Sequence, residues 1–206
     1  MELSQAHHVL NTGCLNGWLR SSVRTGNNHQ NEGRAVDAGD FDFKISNPTG
    51  SLCGKEMCEV TEEIDRAIES LQLKGKVVRL LRPGAEEVNR TVLARFAGGK
   101  DRRWWWEAFP QSESVSFDDG LGYQRVPIVV PNPREQCWFI VEGQEGGPYP
   151  VYEASPEEAV SIIGECFGFE YYIVPKDLSW LVCENHHGIV IGCGKSVEDA
   201  IRRVAA

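Results

Sequence analysis

The sequence predicts an α+β domain built on an antiparallel sheet, with helices packed mainly on one face. Three observations point there. The stretch Phe169–Gly194, F-E-Y-Y-I-V-P-K-D-L-S-W-L-V-C-E-N-H-H-G-I-V-I-G-C-G, holds three apolar strand-like runs around two turns. Ser155-Pro156-Glu157-Glu158 is a strong helix start, with Ser at the N-cap, Pro at the first helical position and Glu at the third. Between Cys137 and Val204 strands and helices then alternate in the order β-β-α-β-β-β-α, and such an order folds as a layered α+β sheet.

Taken in chain order, residues 1–55 are rich in Asn, Gly and Ser and follow neither a period of 2 nor one of 3.6, so a disordered leader is expected. Met57 stands just before the first patterned segment and is a candidate natural start. Residues 56–206 are expected to form a single domain. Val60, Ile64, Ala67, Ile68 and Leu71 recur at helical spacing, with Thr61 as N-cap and Glu62, Glu63 and Asp65 in the first turn. Lys76–Leu81 reads as a short strand, Pro83-Gly84 as a turn, and Ala85–Ala97 as a helix ended by Gly98-Gly99. Pro110–Gly122 reads as a polar loop. Ile128-Val129-Val130, bracketed by Pro127, Pro131 and Pro133, is an edge strand at best. Cys137–Glu142 and Tyr149–Glu153 make a hairpin about the Gly143–Gly147 turn. The helix opened by Ser155 runs through Ala159, Ile162, Ile163, Cys166 and Phe167 to Gly168. Strands follow at Glu170–Val174, Trp180–Glu184 and Ile189–Gly192, and Ser196 opens a final helix bearing Val197, Ala200, Ile201 and Val204.

Charge and cysteine usage narrow the function. Residues 1–55 carry five Lys/Arg and five Asp/Glu, whereas residues 56–206 carry 16 and 25, so the net charge of -9 belongs to the patterned body. An acidic body repels phosphate backbones, and Arg102-Arg103 alone makes no basic stripe, which argues against nucleic-acid binding. The seven cysteines, Cys14, Cys53, Cys58, Cys137, Cys166, Cys183 and Cys193, are odd in number and mostly sit inside apolar patterns. They read as reduced buried thiols, which implies a cytoplasmic compartment. The first 20 residues show no signal peptide, and no apolar run approaches ~18 residues, so no membrane span is expected.

The polar cluster Cys183-Glu184-Asn185-His186-His187 sits at a strand turn. Cys183 with His186 or His187 has the residue types of a thiol nucleophile and its base, with Glu184 as a further acid-base group. Cys183 and His186 also supply two metal-ligand types, but no spaced second pair accompanies them. Were Asn185–Gly188 the turn, Cys183 would lie opposite Val190, and Cys193 would stand ~16–20 Å from the turn, too far to share an ion with the histidines. Cys183 shares a strand face with Leu181, which suits a structural thiol. Asn185 and Gly188 suit a turn. That account is favoured, with no metal and no cofactor. Trp104-Trp105-Trp106-Glu107 is the other candidate site: three adjacent indoles cannot all face one core, so at least one is left partly exposed as a binding anchor.

The strings W-W-E at Trp105–Glu107, W-F-I-V-E at Trp138–Glu142, E-Y-Y-I-V at Glu170–Val174 and W-L-V-C-E-N-H-H at Trp180–His187 resemble, in that order, a family of uncharacterised bacterial proteins. The resemblance covers approximately Trp104–Gly194 and implies no activity. Small acidic α+β domains are also similar, at the level of fold, to immunity proteins that neutralise bacterial toxins. The expectation is a non-enzymatic protein-binding domain with a basic partner, an immunity protein being the particular case. The alternative is a small hydrolase or metal-dependent enzyme centred on Cys183, Glu184, His186 and His187.

Overall fold

The computed structural model describes residues 55–100, 102–143 and 148–206, with the backbone alone for residues 55–59. The expectations of a disordered leader and of a glycine turn at residues 144–147 lie outside the described residues. Within these bounds the chain forms α1 (Lys55–Ser70), β1 (Val78–Arg79), α2 (Arg82–Phe96), a 3-10 turn (Trp105–Ala108) and β2 (Glu113–Ser116). A second 3-10 turn (Gly122–Arg125) leads into α3 (Val126–Val129). There follow β3 (Cys137–Val141), β4 (Val151–Ala154), α4 (Pro156–Ile163), β5 (Tyr171–Pro175), β6 (Leu181–Glu184), β7 (Ile189–Cys193) and α5 (Lys195–Val204). The fold is α+β, and its C-terminal order is β-β-α-β-β-β-α.

Seven strands form one sheet in the order β1-β4-β3-β5-β6-β7-β2, every neighbouring pair antiparallel. Side chains alternate between two cores. Phe139, Tyr171, Ile173, Val182 and Val190 face a layer made by α1, α3, α4 and α5, through Ile64, Val126, Val129, Ile162, Val197 and Ile201. Ile140, Tyr172, Val174, Leu181, Cys183 and Ile191 face the opposite layer, made by Val88, Val92, Leu93 and Phe96 of α2 and by Trp105. The sheet is thus covered on both faces, which is why β5 is buried along its whole length and reads as an unbroken apolar run. The helix α5 lies close on β7: a Cβ at Gly192 would stand 2.3 Å from Val197 Cγ1 and 2.6 Å from Ile201 Cδ1.

Several local expectations need correcting. Thr61 is no cap, because α1 already runs from Lys55 and carries Thr61 buried within it, with Glu62, Glu63 and Asp65 past the first turn. Pro83 and Gly84 open α2 instead of preceding it, proline being free of penalty where no helical partner awaits its N–H. The supposed loop Pro110–Gly122 contains β2, paired with β7 from Glu113↔Gly192 to Ser116↔Ile189. The segment around Ile128 is helical, with Pro127 in its first turn, Val126 and Val129 buried and Ile128 exposed. The helix after Ser155 does form the capping box, Ser155 Oγ accepting from Glu158 N–H and Glu158 accepting from Ser155 N–H. It stops at Ile163, however, and leaves Phe167 exposed in the following loop. Ser196 does not start α5. Gly194 occupies the N-cap, and its N–H donates to Glu198 Oε1 at 3.0 Å.

Candidate functional site

The turn between β6 and β7 is set by Asn185. Its backbone N–H donates to Ile189 O, and its side-chain Oδ1 accepts from the N–H groups of His187 at 3.0 Å and Ile189 at 3.1 Å. Asn185 is therefore the last paired residue of the ladder, the turn proper is three residues long, and Cys183 stands opposite Ile191 instead of Val190. Gly188, at φ +69°, takes the left-handed position that closes the turn. His186 is left half-buried and His187 exposed.

Against this turn the tryptophan segment packs from the α2 side. Trp105 is the buried member, stacked on Tyr149 at 4.9 Å and tilted against Tyr172 at 5.0 Å, while its backbone N–H donates to Tyr172 Oη at 3.0 Å. With Trp105 pinned, its two neighbours turn their rings to the same outer side. Trp104 and Trp106 stack with centroids 6.3 Å apart, and both remain partly exposed. His186 lies 4.9 Å from Trp104 and 6.0 Å from Trp106, and its own neighbour His187 is 4.0 Å away. Two indoles and two imidazoles form one continuous aromatic surface.

Glu170 holds this surface together. Its side chain is 2% exposed at the head of β5, and its carboxylate accepts from Trp106 Nε1–H at 3.2 Å, from His186 N–H at 2.9 Å and, at 2.5 Å, from His186 Nδ1. A carboxylate accepts, so Nδ1 is the ring nitrogen that donates to Glu170, and this contact fixes the orientation of the imidazole. Glu142 stands beside it and accepts from Arg103 Nε at 3.3 Å. Burial, and after it the Glu170 carboxylate, push Glu142 above the usual carboxylate range against the pull of Arg103. The Arg103 guanidinium lies 5.6 Å from the centroid of the Trp104 ring. Glu107 is exposed at the rim, 3.7 Å from Arg102.

The candidate residues of the turn are not gathered at one point. Cys183 is buried in the α2-side core, where desolvation raises its thiol well above the ordinary value, a state that favours the neutral thiol over a nucleophile or ligand. Glu184 projects to the opposite face of the sheet. There it accepts from Tyr171 Oη–H at 3.2 Å, and burial lifts it to about 7. His186 and His187 instead join Trp104 and Trp106. Among the described residues no group of three or more His, Cys, Asp or Glu side chains is placed to hold a metal ion. Two open hollows among the described residues, about 400 and 180 Å³, lie elsewhere and include none of the aromatic surface residues in their lining. No helix among the described residues is long and apolar enough to cross a membrane.

Glu170 and Glu142 were not singled out from sequence, and Arg103 was weighed only with Arg102 as a basic pair too small for nucleic-acid binding. The signal for Glu170 was strand parity: residues 170, 172 and 174 share a face with Cys183, so an acid at the head of that strand had to enter the core layer that Trp105 also joins. No curated protein and no solved structure matches the chain. A family model does match, over residues 56–205, and it spans the sheet, every described helix and the aromatic surface. The chain therefore belongs to the family of unknown function DUF6756.

Proposed function

We propose that this is a non-enzymatic protein-binding domain whose contact face is the surface of Trp104, Trp106, His186 and His187, rimmed by Glu107 and Glu142. The observation that carries the proposal is a pair of partly exposed, stacked indoles, of which Trp106 is fixed by the buried Glu170 carboxylate and Trp104 is packed against Trp106 and His186. Rigid, partly exposed tryptophans bind at small entropic loss and are the residues most enriched at interface hot spots. The body's excess of acidic residues favours a basic partner, because complementary charge steers encounter. A toxin-neutralising immunity protein would combine this size, charge and exposed aromatic face. Co-purification from the native host tests the proposal: a basic protein should accompany the wild-type chain, detach as salt rises, and be lost from Trp104→Ala. Equal recovery with Trp104→Ala would remove the contact face proposed.

One observation favours a second role for the same surface. Glu170 orients His186 through Nδ1, as a carboxylate orients the imidazole of a general base. A turnover abolished by His186→Ala with the fold retained would promote that role over binding.

A further inference from the structure

The aromatic surface already holds a cation of its own chain. Arg103 places its guanidinium over Trp104, 5.6 Å from the ring centroid, while its Nε donates to Glu142 at 3.3 Å. Indole face and carboxylate together make a receptor for a planar cation: the ring quadrupole attracts the positive charge, and the carboxylate accepts from the guanidinium edge. The Arg103 side chain is 56% exposed whereas Glu142 is 19% exposed, so a cation from solvent can reach the carboxylate, and an ion pair this open is by itself worth little. Burial, and after it the Glu170 carboxylate, keep Glu142 above the ordinary carboxylate range despite the pairing with Arg103. A cation that arrives within a partner's interface excludes water from the same ring and carboxylate and makes both contacts stronger.

We infer that Arg103 is a placeholder, and that the partner inserts an arginine side chain which displaces it from Trp104 and Glu142. Arginine is chosen over lysine because only a planar guanidinium stacks on an indole while donating edge-on to a carboxylate. The inference rests on the binding face proposed above and names the group that the face reads.

The test uses fluorescently labelled hexa-arginine and hexa-lysine peptides, with affinities read by anisotropy on the full chain at two salt concentrations. Arg103→Ala should tighten hexa-arginine by about fivefold, the worth of one freed cation–π and carboxylate site. Hexa-lysine should change no more than it does for Arg102→Ala, which removes the same charge next door. Adding Trp104→Ala to Arg103→Ala should erase the gain. An equal gain for both peptides, or a gain no larger than that from Arg102→Ala, would overturn the inference. A host partner still captured through Trp104 would in that case leave the binding face standing, whereas loss of that dependence would remove the face itself.

Discussion

At the scale of single residues, Glu170 bears the largest share of the site's organisation, because one buried carboxylate satisfies donors from two separate segments of the chain. Glu170→Ala strands the Trp106 indole N–H and the His186 amide, and unpaired buried donors cost about 1–3 kcal/mol each. Urea unfolding should show a loss of about 2–4 kcal/mol, with a changed tryptophan emission; a loss below about 0.5 kcal/mol would show that water replaces the carboxylate without penalty. Glu184 gives a pH signature of known sign. Its folded value is raised from 4.5 to about 7, so the folded state holds a proton that the unfolded state has released between those limits. Stability from this group is therefore present below pH 4.5 and is lost as pH rises toward 7 and above. Glu184→Gln should remove that fall, so that its stability relative to wild type improves by about 1–2 kcal/mol between pH 5 and pH 8 in urea melts. A difference that does not vary with pH would mean that Glu184 is better solvated than its surroundings suggest.

At the scale of elements, legibility followed periodicity. The strands from Cys137 onward and the capping box at Ser155 are written in local pattern, so their order and the helix start read directly from sequence. The elements missed are those decided by tertiary contact. β2 is four residues long with Ser114 and Ser116 exposed, and only its pairing with β7 makes it a strand. α3 is a single turn whose Val126 and Val129 are claimed by the core, and its proline suits a helix start as well as a strand edge. The site was half legible for the same reason. Adjacent tryptophans imply an exposed indole, and Asn185 with Gly188 implies a turn, but nothing local says that the two meet across Glu170. Close approach of elements is testable at Gly192, where a Cβ would strike Val197 and Ile201 of α5. Gly192→Ala should destabilise by about 1–3 kcal/mol, the usual range for overpacking. An unchanged denaturation midpoint would show that α5 shifts freely on the sheet.

At the scale of the whole molecule, a sheet covered on both faces leaves function to its rims and loops, and the one aromatic surface described above sits at the β6–β7 end. We propose that residues 1–55 are dispensable for this fold. Limited proteolysis should trim them early and leave a body of unaltered midpoint, and a leader as resistant as the body would contradict that boundary. The acidic excess of residues 56–206 acts over longer range than any single contact, and association with a basic partner should slow as salt screens it. The central claim, that Trp104 anchors a protein partner, is tested most directly by titrating the partner recovered from the host against wild type and Trp104→Ala by calorimetry. Trp104 is the cleaner probe of the two indoles, since Trp106 also donates to Glu170. The account predicts a loss of about 2 kcal/mol or more of binding free energy with the fold retained; an affinity unchanged to within about 0.5 kcal/mol would contradict it.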